Sequence, residues 1–148
     1  GGEGACFRNT RHILGRKVRL VKSLVPAPVC QQARESARYG VFSFGSTSAA
    51  IVEALVARDS QGMHLDTVRI RSFPCSDAVV DFINSYDQVF LIEQNRDAQL
   101  RMLLVNECAI DPARIISVLH YDGTPITARF ITSAIGERLQ MKAKEAAE

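Results

Sequence analysis

The stretch Val89-Phe-Leu-Ile92, running straight into Glu93-Gln-Asn-Arg-Asp-Ala-Gln99, decides the fold class. Four consecutive apolar residues without polar alternation suit a central parallel strand covered on both faces. An abrupt change to polar residues then marks the carboxyl end of that strand. Working outward, the same grammar recurs. Tyr39-Gly-Val-Phe-Ser-Phe-Gly45 reads as a short apolar strand. Leu65 to Phe73 alternates Val68 and Ile70 with Arg69 and Arg71, a strand with one wetter face. Ile115 to Leu119 reads as a fourth strand.

Helices fill the intervals. Ser46 is placed to cap one that reaches about Arg58, with Ala50, Ile51, Ala54 and Leu55 inward and Gly62 closing it. Ser76 or Asp77 opens a second carrying Val79, Val80, Phe82 and Ile83. A third runs from about Ala98 to Cys108, with Leu100, Leu103, Leu104 and Glu107 defining its turn. Asp122-Gly123 signals a turn, and Thr127 opens a last helix reaching the tail. The order predicts a three-layer α/β/α fold: an open, mostly parallel sheet with right-handed crossovers and helices on both faces.

Residues 1–38 form a separate basic arm and linker, and residues 39–148 the α/β domain. Gly1 to Asn9 shows no periodicity. Leu14, Val18, Val21 and Val25 recur at helical spacing between Arg11 and Val25, until Pro26 and Pro28 end the pattern. Cys30 to Arg38 reads as a polar linker. The arm carries eight Lys or Arg against Glu3 and Glu35. With only Phe7 and Tyr39 as aromatics, it suits packing on its own domain or a partner better than nucleic acid.

An apolar fraction of 47% and a charged fraction of 23% are those of an ordinary globular domain. No apolar run reaches the roughly 18 to 20 residues of a membrane span, and no signal-peptide pattern is visible. Cys6, Cys30, Cys75 and Cys108 lie far apart, as do His12, His64 and His120, so no metal or C-x-x-C redox spacing exists. A reduced, cytoplasmic protein without its own iron–sulfur cluster or zinc is the expectation.

In an open parallel sheet the working surface lies beyond the carboxyl ends of the strands. Four polar stretches fall there: Gly45, Ser46, Thr47 and Ser48; Phe73, Pro74 and the following Cys75-Ser-Asp77; Glu93, Gln94, Asn95, Arg96 and Gln99; and His120, Tyr121, Asp122 and Gly123. They are expected to converge on one rim. Gly45 to Ser48 at a helix N-terminus could hold a phosphate or carboxylate, or simply make a tight capped turn. Complete P-loop and dinucleotide glycine patterns are absent. Glu93 could act as a general acid or base, or fix neighbouring loops. His120 has the same two readings, acid–base group or hydrogen-bonded structural histidine. Cys75 near a helix start could be a stabilised thiolate or a packing residue. No Ser-His-Asp or Cys-His set emerges, so no catalytic residue is assigned.

Gly45-Ser-Thr-Ser48, Arg71-Ser-Phe-Pro74, Glu93-Gln-Asn-Arg-Asp-Ala-Gln-Leu100 and Leu119-His-Tyr-Asp-Gly-Thr-Pro-Ile-Thr127 resemble successive motifs of the α subunit of 2-oxoacid:acceptor oxidoreductases. The bacterial 2-oxoglutarate:ferredoxin branch is the nearest in pattern. Arg19-Leu-Val-Lys-Ser-Leu-Val-Pro-Ala-Pro28 resembles the basic helix and proline-bearing linker that precede this domain in the family. One departure is Cys75, where a second aromatic is expected after Phe73-Pro74.

The resemblance implies a transketolase C-terminal-like domain, with one antiparallel edge strand added to the parallel set. It also implies oxidative decarboxylation of a 2-oxoacid to its acyl-CoA by a complex. Thiamine diphosphate, Mg, coenzyme A and iron–sulfur clusters would belong to that complex, with none bound by this domain alone. Implied partners are the preceding pyrimidine-binding domain, the β subunit and ferredoxin as acceptor, with no membrane. On that reading the rim is an assembly surface. The competing reading is a ligand-binding module holding a coenzyme A or nucleotide phosphate at Gly45 to Ser48.

Overall fold

The structure is a computed structural model that describes residues 12–13, 15–17, 20–33, 36–59 and 62–145. Among the described residues five strands form one sheet: β1 (Val29–Gln31), β2 (Tyr39–Phe44), β3 (Leu65–Ile70), β4 (Gln88–Glu93) and β5 (Ile115–Leu119). Accompanying them are the helices α1 (Ser48–Asp59), α2 (Asp77–Asn84), α3 (Gln99–Cys108) and α4 (Ala128–Glu145). The strand order is β1-β3-β2-β4-β5. All pairs among β2 to β5 are parallel, and β1 alone runs antiparallel, on the free side of β3.

Alternation along the buried strands builds two cores. On one face Phe42, Val68, Ile70, Val89 and Leu91 meet Val79 and Ile83 of α2 and Leu104 of α3. On the other, Val41, Leu65, Phe90, Ile92 and Val118 meet Ile51 and Ala54 of α1 and Ile131 and Ile135 of α4. Val89 to Ile92 are all at most 1% exposed, as the unbroken apolar run requires. Gly40 lets β4 and α2 approach closely, since a Cβ there would meet Val89 and the Phe82 ring at 3.0 and 2.8 Å.

Several local expectations need correction. Val29–Gln31 is a strand in the sheet, where part of the segment was expected to be polar linker. Three exposed residues following Pro28 are too few to show any periodicity. It is the antiparallel edge strand that the resemblance implies. Ser46 does not cap α1: residues Gly45–Thr47 form a 3-10 turn first, and the helix begins at Ser48. Ser76 is the N-cap of α2 by backbone shape only, with no hydrogen bond from its side chain. Thr127 does cap α4, accepting from the Phe130 N–H at 3.2 Å.

In the arm, residues 12–13, 15–17 and 20–24 are helical, while Leu14, Val18 and the first eleven residues lie outside the described part. Val21, expected to face inward, is 43% exposed. Lys22 reaches Asp77 at 3.7 Å, beside the start of α2.

Candidate functional site

The parallel strands reverse direction of growth between β2 and β4, since β3 lies on one side of β2 and β4 on the other. That switch point opens a crevice where α1, leaving β2, and α3, leaving β4, cover opposite faces. A cleft of about 390 Å³ lies at this end, lined by the residues following β2, β3 and β4 and by the first turns of α3. It gathers Gly45, Ser46, Thr47, Phe73, Glu93, Gln94, Asn95 and Gln99 from the expected rim. Gln94 Nε2 donates to Thr47 Oγ1 at 3.1 Å, tying the loop after β4 to the loop after β2. Gly45 takes φ +71°, which lets the chain turn sharply out of β2.

Glu93 is 4% exposed, and its hydrogen bonds define what it does. One oxygen, Oε1, accepts from the Leu100 N–H at 2.7 Å and from Asn95 Nδ2 at 3.0 Å. The other accepts from the Arg101 N–H at 3.4 Å. Asn95 Oδ1 in turn accepts from the Gln99 N–H at 3.2 Å. These N–H groups open α3 and have no partner within the helix, so Glu93 and Asn95 supply the acceptors and oppose the positive end of its dipole. The Ala98 N-cap, at φ 49°, makes no such bond itself.

The fourth stretch forms its own cluster beside this one. His120, 8% exposed, approaches the Thr124 carbonyl at 2.9 Å and Asp122 Oδ1 at 3.2 Å, and its ring packs on Phe130 at 4.7 Å. Asp122 accepts from the Thr124 hydroxyl at 2.7 Å and N–H at 2.9 Å. Those bonds, with His120 nearby, hold its carboxyl below the usual carboxylate range. The turn is fastened to the cleft by the His120 N–H, which donates to the Glu93 carbonyl at 2.9 Å. The four stretches therefore lie at the carboxyl end of the sheet in two adjoining parts. Residues from three loops line the cleft, while His120, Tyr121, Asp122 and Gly123 stand next to it.

Arg96 is largely exposed and pairs with Asp97 at 2.7 Å, outside the cleft lining. Ser48 and Pro74 also stand outside that lining. Cys75 is 1% exposed, and burial, followed by the neighbouring Cys108, pushes its thiol up to about 12. The stabilised-thiolate reading is thereby overturned, because the thiol is desolvated rather than served by a helix end.

Sequence reasoning missed Phe44, Leu100 and Leu103 as cleft residues. Phe44 closes an apolar strand and Leu103 sits in a helical apolar pattern, so both read as core. In the structure they are 53% and 41% exposed at the cleft. Among the described residues lining the cleft there is no Lys, Arg or His.

No family model and no curated protein matches this sequence. Solved structures do. The chain is similar to 2-oxoglutarate:ferredoxin oxidoreductase from Magnetococcus marinus, a structure with 2-oxoglutarate, coenzyme A and succinyl-CoA bound. That likeness has a TM-score of 0.79 at 20% identity, over 93% of this chain and 24% of that one. A split-gene transketolase, described as an inactive β4 tetramer, aligns with TM-score 0.61 at 18% identity, over 76% of this chain and 41% of that one. The α chain of a probable 2-oxoacid ferredoxin oxidoreductase from Thermoplasma acidophilum aligns with TM-score 0.51 at 22% identity. There the match covers 77% of this chain and 97% of that one. The chain thus spans about a quarter of the first of these proteins. The fold is that of a transketolase C-terminal-like domain.

Proposed function

We propose that this chain serves as an assembly domain of a 2-oxoacid:ferredoxin oxidoreductase α subunit, with 2-oxoglutarate as the oxoacid. The observation that carries the reading is the likeness over 93% of this chain to a quarter of the Magnetococcus marinus enzyme. The motif resemblance in four rim loops points the same way. In this reading the carboxyl-end rim meets the preceding pyrimidine-binding domain and the β subunit, and the complex works in the cytoplasm with ferredoxin as acceptor.

The polar residues of the rim support a positioning role. Glu93 and Asn95 are committed to the start of α3, and Gln94 to Thr47. His120 is committed to its own turn. Each holds a loop in a defined place, which is what a docking rim needs. Among the described residues no three His, Cys, Asp or Glu side chains gather as metal ligands. Nor does a cation line the cleft for a diphosphate. In the proposed complex the thiamine diphosphate, Mg, coenzyme A and clusters belong to the other domains and subunits.

The test is reconstitution. Purified chain is assayed for coenzyme A-dependent oxidation of 2-oxoglutarate coupled to ferredoxin reduction, alone and combined with the rest of the α subunit and the β subunit. The expected result is no turnover alone and turnover in the complex. Turnover by the isolated chain, or a complex equally active without it, overturns the reading.

A further inference from the structure

We infer that the switch-point cleft binds a small, uncharged aromatic molecule bearing a carboxamide-like hydrogen-bonding group, a property of the free chain that goes beyond the assembly role. The cleft's about 390 Å³ falls at the lower end of the range of small-molecule sites, and it lies at the place where open α/β sheets receive ligands. Its chemistry selects the class. Phe44 and Phe73 both line it and are 53% and 42% exposed, so two aromatic rings stand in water that a flat apolar ligand would displace. Leu100 and Leu103 extend the apolar wall.

The polar groups left for a ligand are neutral. The carboxamide of Gln99 and the hydroxyls of Ser46 and Ser72 have no side-chain hydrogen bond among the described residues, and all three line the cleft. Glu93, the one charged residue there, already accepts three hydrogen bonds. An anion would therefore meet a carboxylate without any side-chain cation, which opposes a phosphate or a carboxylate ligand. A neutral aryl amide meets apolar walls with donors and acceptors at their edge.

Benzamide is the probe. The isotope-labelled chain is titrated with benzamide, benzoate and pyrophosphate while backbone amide resonances are followed. Saturable shifts at residues 44–47, 72–73 and 99–103 with benzamide are expected, at a dissociation constant on the order of 1 mM. Phe73→Ser and Phe44→Ser should each weaken binding by about threefold to tenfold. Both side chains are exposed, and a well-dispersed spectrum of each variant confirms that it folds. Benzoate and pyrophosphate should bind more weakly than benzamide. Absence of saturable benzamide shifts in the cleft, equal binding by both Phe variants, or tighter binding of either anion overturns the proposal. None of these measurements involves a partner subunit, so they stand or fall apart from the assembly reading.

Discussion

Glu93 ends the most buried strand as a carboxylate with three hydrogen-bond donors pointed at it. Truncation would leave the Leu100 and Arg101 N–H groups and the Asn95 amide without their acceptor. Glu93→Ala is expected to destabilise the chain by about 1–3 kcal/mol, read as a lower urea midpoint at unchanged slope. An unaltered midpoint would show that water replaces the carboxylate at no cost. Cys75 gives a pH prediction. Its folded-state value is raised above the ordinary 9.0 to about 12. The fold thus favours the protonated thiol, and this contribution is complete below pH 9 and lost as pH climbs toward 12. Tyr86, raised by burial and by its bond to Asp66, adds to the same alkaline trend. Stability should fall above about pH 9, and Cys75→Ala should make that fall shallower. The same slope in both proteins would remove Cys75 from the account.

Among the elements, β1 is the least secured, with three residues paired to β3 and all three exposed. Beyond it the Ala33 N–H donates to Asp66 Oδ1 at 2.7 Å, and the Tyr86 hydroxyl donates to Asp66 Oδ2. Asp66, near the start of β3, therefore pins the chain leaving β1. Asp66→Ala should speed hydrogen exchange at Cys30 and Gln31 by about 5- to 30-fold, as loss of 1–2 kcal/mol would. Exchange in β4 should not change, and uniform acceleration would mean global destabilisation instead. The short edge, preceded by Pro26 and Pro28, also offers little length for unwanted strand pairing. The long strands and helices were legible in sequence because burial imposes a period on them. The caps were less so: Ser46 and Ser76 have the right residue type, yet a 3-10 turn precedes α1, the Ser76 side chain makes no capping bond, and a carboxylate from β4 serves the start of α3.

The molecule as a whole is two apolar layers separated by one sheet, with Ile83 in one core and Ile131 in the other, each 0% exposed. Removing one methyl group from either should cost about 0.5–1.5 kcal/mol. Because the sheet separates the sites, Ile83→Val and Ile131→Val should add to within about 0.5 kcal/mol in the double variant. A larger discrepancy in urea unfolding would mean that the sheet transmits strain between the layers.

By itself the sequence determined the parallel α/β class, the four parallel strands, the helices between them and the polar residues at the carboxyl ends. These follow from local periodicity, which burial writes directly into residue order. Tertiary structure alone decided the rest. Strand order, set by which edges pair, divided the polar stretches into a cleft and a neighbouring turn. Seven and eight residues separate Glu93 from the N–H groups it serves, and residue type did not reveal that commitment. Exposure, a property of the packed whole, turned Phe44 and Leu103 from apparent core residues into cleft walls.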